Sequence, residues 1–179
     1  MTDKLKSLLF DERFLWFLGA FHGAWSSLEL VTSYGIKKFL NISDEQAHIL
    51  TSGMEFGRKA ILLRNLAYRS EDPKRKTIIQ LVAKLQNESK RNVFAHAFMI
   101  SNESAVTFID RTRGGDYEAT KHVFTLKEFA DHVTSVTATA KELHAALDLN
   151  DEILHRFAMA ALSANTKSAK SPTPPISSA

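Results

Sequence analysis

The chain has 179 residues, 44% of them hydrophobic and 24% charged, the composition of one globular domain with tails and not of a disordered chain. It holds no cysteine, which excludes disulfides, thiolate metal sites and cysteine nucleophiles and accords with a cytoplasmic protein. With 23 basic and 20 acidic side chains the net charge is only +3, so a polyanion-binding face must come from local clustering.

The seven glycines and four prolines are few, and Pro172, Pro174 and Pro175 sit near the C-terminus. The folded part is therefore almost free of helix breakers. The start, Met1-Thr2-Asp3-Lys4, lacks a long apolar run and a cleavage pattern, so no signal peptide is expected. The most apolar stretch, Phe14 to Val31, is interrupted by His22, Ser26, Ser27 and Glu29. It reads as an amphipathic core helix and not as a membrane span.

In chain order, Asp11 caps a first long helix reaching Ile36 or beyond, with Phe14, Leu18, Phe21, Trp25 and Leu28 at helical spacing. Ser43-Asp44-Glu45-Gln46 has the form of a capping box and opens a short second helix ending near Gly53. A third helix covers about 54–68. Ser70-Glu71-Asp72-Pro73 is a turn with proline suited to a first helical position, and a fourth helix runs from there to His96 or Phe98. Ala105 to Ile109 and Lys121 to Phe124, around a turn at Arg113-Gly114-Gly115-Asp116, spell a β-hairpin. Thr125-Leu126-Lys127-Glu128 is a second capping box, opening a fifth helix to about Leu147, and Asp151 caps a sixth from Glu152 to about Ser163. These elements divide the chain into a tail at 1–10, a helical domain at 11–165 and a disordered Ser, Lys, Pro and Thr tail at 166–179.

On the fourth helix Ile78, Leu81, Val82 and Leu85 form an apolar stripe, and the same spacing continues to Asn92 and His96. A core-facing stripe that finishes in polar groups calls for a partner, whether chain, water or ligand. Arg91 is long enough to reach the same surface. The residues alone also fit a plain helix C-terminus, where Arg and His answer the negative end of the dipole. No metal-ligand spacing occurs among the seven histidines, so neither metal nor cofactor is expected. His22, Ser26 and Glu29 share a face of the first helix and suggest either an internal hydrogen-bonded set or a relay partner for His96. His132 follows Asp131 on a face that looks exposed. Phe94, Phe98, Phe108 and Phe124 read as core aromatics, leaving no evident base-stacking ring.

Arg91-Asn92-Val93-Phe94-Ala95-His96 resembles the signature of the HEPN superfamily: an arginine, a polar residue, three further residues and a histidine, late in a long helix. With the neighbouring helices and the strand insert, the similarity covers roughly residues 11–147. The resemblance implies a mainly α protein, an antiparallel helical bundle with a short β-hairpin between the fourth and fifth helices. It implies a homodimer in which two motif helices share one cleft. It further implies a metal-independent RNA endonuclease of a toxin–antitoxin or phage-defence system, with an antitoxin protein as partner and no membrane. His96 would act as general acid or base, imidazole being the side chain that exchanges protons near neutral pH. Arg91 would neutralise the phosphate, Asn92 would orient the histidine or substrate, and the products would be a 2′,3′-cyclic phosphate and a 5′-hydroxyl. Lys84 and Lys90 on the helix, and Arg111, Arg113 and Lys121 on the hairpin, would track the RNA backbone; as charges alone they suit a solvated surface slightly better. Two further readings stand beside the enzyme: a catalytically silent HEPN-like dimer binding RNA, nucleotide or a partner protein, and a purely structural helical protein.

Overall fold

Side-chain oxygens from Asp11, Ser43, Thr125 and Asn150 start four of the helices in the computed structural model, which describes residues 11–111 and 118–168. Among the described residues the chain forms helices α1 (Glu12–Leu40), α2 (Asp44–Thr51), α3 (Phe56–Arg69), α4 (Arg75–Glu88) and α5 (Arg91–His96). Strands β1 (Phe98–Ser101), β2 (Ala105–Arg111) and β3 (Ala119–Thr125) follow, then α6 (Leu126–Ala146) and α7 (Asp151–Ser168). The protein is thus mainly helical with one small antiparallel sheet. No described helix is long and apolar enough to cross a membrane. The expected tail at 1–10, the turn at 113–116 with Arg113, and positions 169–179 lie outside the described residues.

Both capping boxes form. Ser43 Oγ accepts from the Gln46 N–H at 3.2 Å while the Gln46 side chain takes the Ser43 N–H at 2.9 Å. Thr125 and Glu128 exchange the same pair of bonds, and the two that the carboxylate accepts, first from the Thr125 N–H and then from its hydroxyl, hold the Glu128 carboxyl below the usual range. At the last helix the cap is Asn150 and not Asp151: Asn150 Oδ1 accepts from the Ile153 N–H at 2.8 Å. That helix also continues to Ser168, three residues into the stretch expected to be tail.

The largest departure is at the fourth helix, expected as one element to His96. It ends at Glu88, and Lys90 takes a left-handed conformation (φ 53°, ψ 26°) before α5 begins. The strands therefore follow a fifth helix and precede the sixth, so the insert lies one helix later than expected. It has three strands in the order β1-β2-β3, because Phe98, the outer limit of the expected helix, and Met99 to Ser101 after it form a strand that pairs with β2.

The described residues divide into two compact units, one within Met1–Leu28 and Gln80–Leu143, the other within Glu29–Ile79 and His144–Ala179. In the first, the sheet's inner face and the helices meet in an aromatic core. Phe14, Phe21, Phe94, Phe108 and Phe129 are buried there, together with Leu85 and Val106. The sheet edge is tied to the start of α1, where the Asp11 N–H donates to Ser101 Oγ at 2.8 Å.

In the second unit Gly35 is closely approached: a Cβ there would stand 2.9 Å from Leu63 Cδ1 and 3.1 Å from Leu147 Cδ1, so a larger residue would make those side-chain ends shift. His48 stacks on Phe157 (centroids 4.2 Å apart) and its Nε2 bonds the Phe157 carbonyl at 2.7 Å. Asn41 and Asp148 hold positive φ just past helix ends. Each is followed by a bond from the next N–H back to the last turn (Ile42 to the Lys37 carbonyl, Leu149 to the His144 carbonyl), so both ends are Schellman-type stops.

Asp148 also binds Lys74 and, at 3.0 Å, Lys38, which in turn reaches Asp72 at 3.3 Å. Lys74 first and Lys38 second hold the Asp148 carboxyl below its ordinary value of 3.8. Burial pulls the Lys38 ammonium down, but its bonds to Asp148 and Asp72 outweigh that and leave it raised. A carboxyl depressed in the folded state stabilises above its unfolded value and loses that contribution as acid protonates it. Asp148→Asn, which keeps a side chain suited to positive φ, should therefore lower the melting temperature at neutral pH. The difference from wild type should shrink as the pH falls below 3.8. A difference that stayed constant through acid would show that the ion pairs contribute nothing.

Candidate functional site

The motif residues stand on α5, a helix created by the break at Lys90. At that break the Ser89 carbonyl would lose its helical partner; instead the His132 Nε2–H of α6 donates to it at 3.0 Å. A carbonyl can only accept, so the proton of His132 is on Nε2. Sequence reading placed His132 on an exposed face. It is half-buried and braces the joint.

Beyond the joint, Phe94 fixes the helix. It is 4% exposed, with ring centroids 5.0 Å from Phe21, 4.9 Å from Phe108, 5.7 Å from Phe124, and 5.2 Å from both Phe129 and His132. At 100° per residue, Asn92 and His96 lie about 160° around the helix from Phe94, and both are exposed. This corrects the expectation that they extend the buried stripe of α4. The left-handed residue resets the phase, so Phe94 takes the core position and the polar pair faces outward.

The three motif side chains are brought together. Arg91 Nη1 donates to His96 Nε2 at 3.2 Å and to Asn92 Oδ1 at 3.3 Å. A guanidinium has donors only, so in this contact His96 presents its Nε2 lone pair and carries its proton on Nδ1. Chemically, the cluster offers one proton acceptor beside one permanent, planar cation, the combination needed to deprotonate a hydroxyl next to a phosphate.

Other expected participants are placed elsewhere. His22 and Ser26 are exposed on α1, and among the described residues no hydrogen bond joins either to His96. Of the expected RNA contacts, Lys84 lines a shallow cleft between α4 and α6 with Glu88, His132, Ser135 and Thr139; none of the motif residues borders it. Lys90 is exposed, its Nζ 5.9 Å from the Phe124 ring centroid. Arg111 and Lys121 are exposed on β2 and β3, and Arg113 is outside the described residues. One relevant side chain was missed: Phe98, read as core, is 57% exposed. The signal available was its neighbour, since the alternation Phe98-Met99-Ile100-Ser101 puts Phe98 and Ile100 on one face of a strand. Among the described residues no group of three or more His, Asp or Glu side chains is placed to hold a metal ion.

Lys90 itself supplies a test of the joint. A non-glycine residue in the left-handed region costs about 1 kcal/mol, and the site has no side-chain cap. Lys90→Gly should raise stability by about 0.5 kcal/mol in urea unfolding; a loss of that size would mean the lysine side chain, and not the backbone, holds the joint. Compared with protein-family models, with curated proteins and with solved structures, the chain matches none.

Proposed function

We propose that this protein is a HEPN-like, metal-independent RNA endonuclease acting as a homodimer, with two α5 helices facing one cleft. The observation that carries the reading is the bond from Arg91 Nη1 to His96 Nε2, 3.2 Å long, on an exposed helix face with Asn92 at 3.3 Å. RNA would displace that bond. Arg91 would turn its fork of donors to the non-bridging phosphate oxygens, and the freed Nε2 lone pair of His96 would take the proton of the ribose 2′-hydroxyl. The 2′-oxygen would then form its bond to phosphorus as the bond from phosphorus to the 5′-oxygen breaks. The leaving 5′-oxygen would take a proton from the protonated histidine of the second copy, giving a 2′,3′-cyclic phosphate and a 5′-hydroxyl. An antitoxin protein would be the partner of such a nuclease.

The silent-dimer reading is favoured by one feature, that the Nε2 lone pair is already engaged by Arg91. Incubating wild-type protein with single-stranded RNA in excess chelator separates the two. Fragments ending in cyclic phosphate, identified by mass spectrometry, support the nuclease. Intact RNA bound to a dimer supports the silent module.

A further inference from the structure

We propose that the open face of the three-stranded sheet is a track for single-stranded RNA leading to the motif helix, with Phe98 stacking on a base while Lys121 and Arg111 neutralise flanking phosphates. That the track serves cleavage rests on the endonuclease reading above; that it binds RNA does not. The antiparallel register lays Phe98 opposite Ile109 and Ile109 opposite Lys121 in one cross-strand row, and Ile100, Thr107 and Val123 in the next. These side chains share a face, because residues two apart on a strand point the same way. The alternate residues Val106 and Phe108 are buried on the other face.

The open face is apolar and aromatic, with Phe98 57%, Ile100 41% and Val123 53% exposed. Its charged members among the described residues are both cations, Arg111 and Lys121. Asp110 alternates onto the opposite face, in register with Thr120. With strands about 4.8 Å apart, Phe98 and Lys121 stand about 10 Å apart, a span a lysine side chain closes when it reaches for the phosphate of a base stacked on the ring. Phe98 is also two residues from His96, so their Cα atoms are at most about 7 Å apart.

An exposed ring on a sheet, flanked by cations and without carboxylates, suits unpaired bases. A duplex hides the base faces that such a ring would stack on. A second copy of the same face would instead set four cations against each other with no acid to answer them.

The test uses the full-length chain carrying His96→Ala, to silence cleavage, and a fluorescein-labelled single-stranded oligoribonucleotide of mixed sequence, read by anisotropy. Adding Phe98→Ala should weaken binding about tenfold, and Phe98→Trp in its place should restore it. Lys121→Ala should reduce the salt slope by about 1, and the annealed duplex should bind less tightly than the single strand. Unchanged affinity in Phe98→Ala, or equal affinity for duplex, would overturn the proposal. So would sedimentation showing that Phe98→Ala splits a dimer, which would make the face a self-interface. Cleavage by otherwise wild-type protein is scored separately. Phe98-dependent binding without cleavage removes the nuclease and leaves the track, whereas cleavage indifferent to Phe98 removes the track and leaves the nuclease.

Discussion

His96→Ala is expected to slow RNA cleavage by about 10²–10⁴-fold, the range for losing a positioned general acid or base, while the protein stays folded. The second half follows from exposure. His96 makes its bond to Arg91 at the surface, and surface changes of this kind move stability by about 0.5 kcal/mol or less. Single-turnover cleavage rates and a thermal melt on the same preparation read both halves. Arg91→Ala should cost a comparable factor by leaving phosphate charge unanswered. Arg91→Lys should recover little of it, because an ammonium lacks the planar fork that would offer paired donors to two phosphate oxygens. A His96→Ala protein that cut at the wild-type rate would remove imidazole from the chemistry altogether.

Phe94→Ala is expected to cost about 3–5 kcal/mol, the usual price of truncating a fully packed phenylalanine. Four phenylalanine rings and the His132 imidazole have centroids within 5.7 Å of it. Its loss opens a void among groups drawn from α1, β2, β3 and α6, which cannot all collapse into it at once. Urea unfolding measures the loss, and Phe94→Leu, which refills most of the volume, should cost markedly less. A change below about 1 kcal/mol in the alanine variant, small beside the general range for such truncations, would mean that the ring is not the anchor of α5. The variant should also lose cleavage with His96 intact, because the helix that aims His96 would no longer be held.

Local signals were legible in the sequence wherever the deciding bonds are local. The boxes at Ser43 and Thr125 and the cap at Asp11 each depend on residues within three positions, and each forms as expected. The end of α4 was not legible. Lys90 has no side-chain signature for a left-handed backbone, and the spacing from Leu85 to His96 continues the helical period without a flaw. What stops the helix lies far along the chain: His132, 43 positions on, takes the Ser89 carbonyl, and Phe21, together with Phe108, Phe124 and Phe129, makes a socket for Phe94. The motif letters Arg91, Asn92 and His96 were found from sequence, but their outward direction depends on that socket. Phe98 was misjudged for the same reason, since once the helix is taken to run on, no strand exists to expose it.

The six residues of α5 carry a consequence for how the site comes into being. A helix of that length has no stability in water by itself, and its start lacks any side-chain cap. The guanidinium and imidazole are thus neighbours only after the strands and α6 have collapsed around Phe94. A ribosome-bound fragment ending before residue 129 spells the motif without forming it, so the paired side chains would come together only once Phe129 has been synthesised.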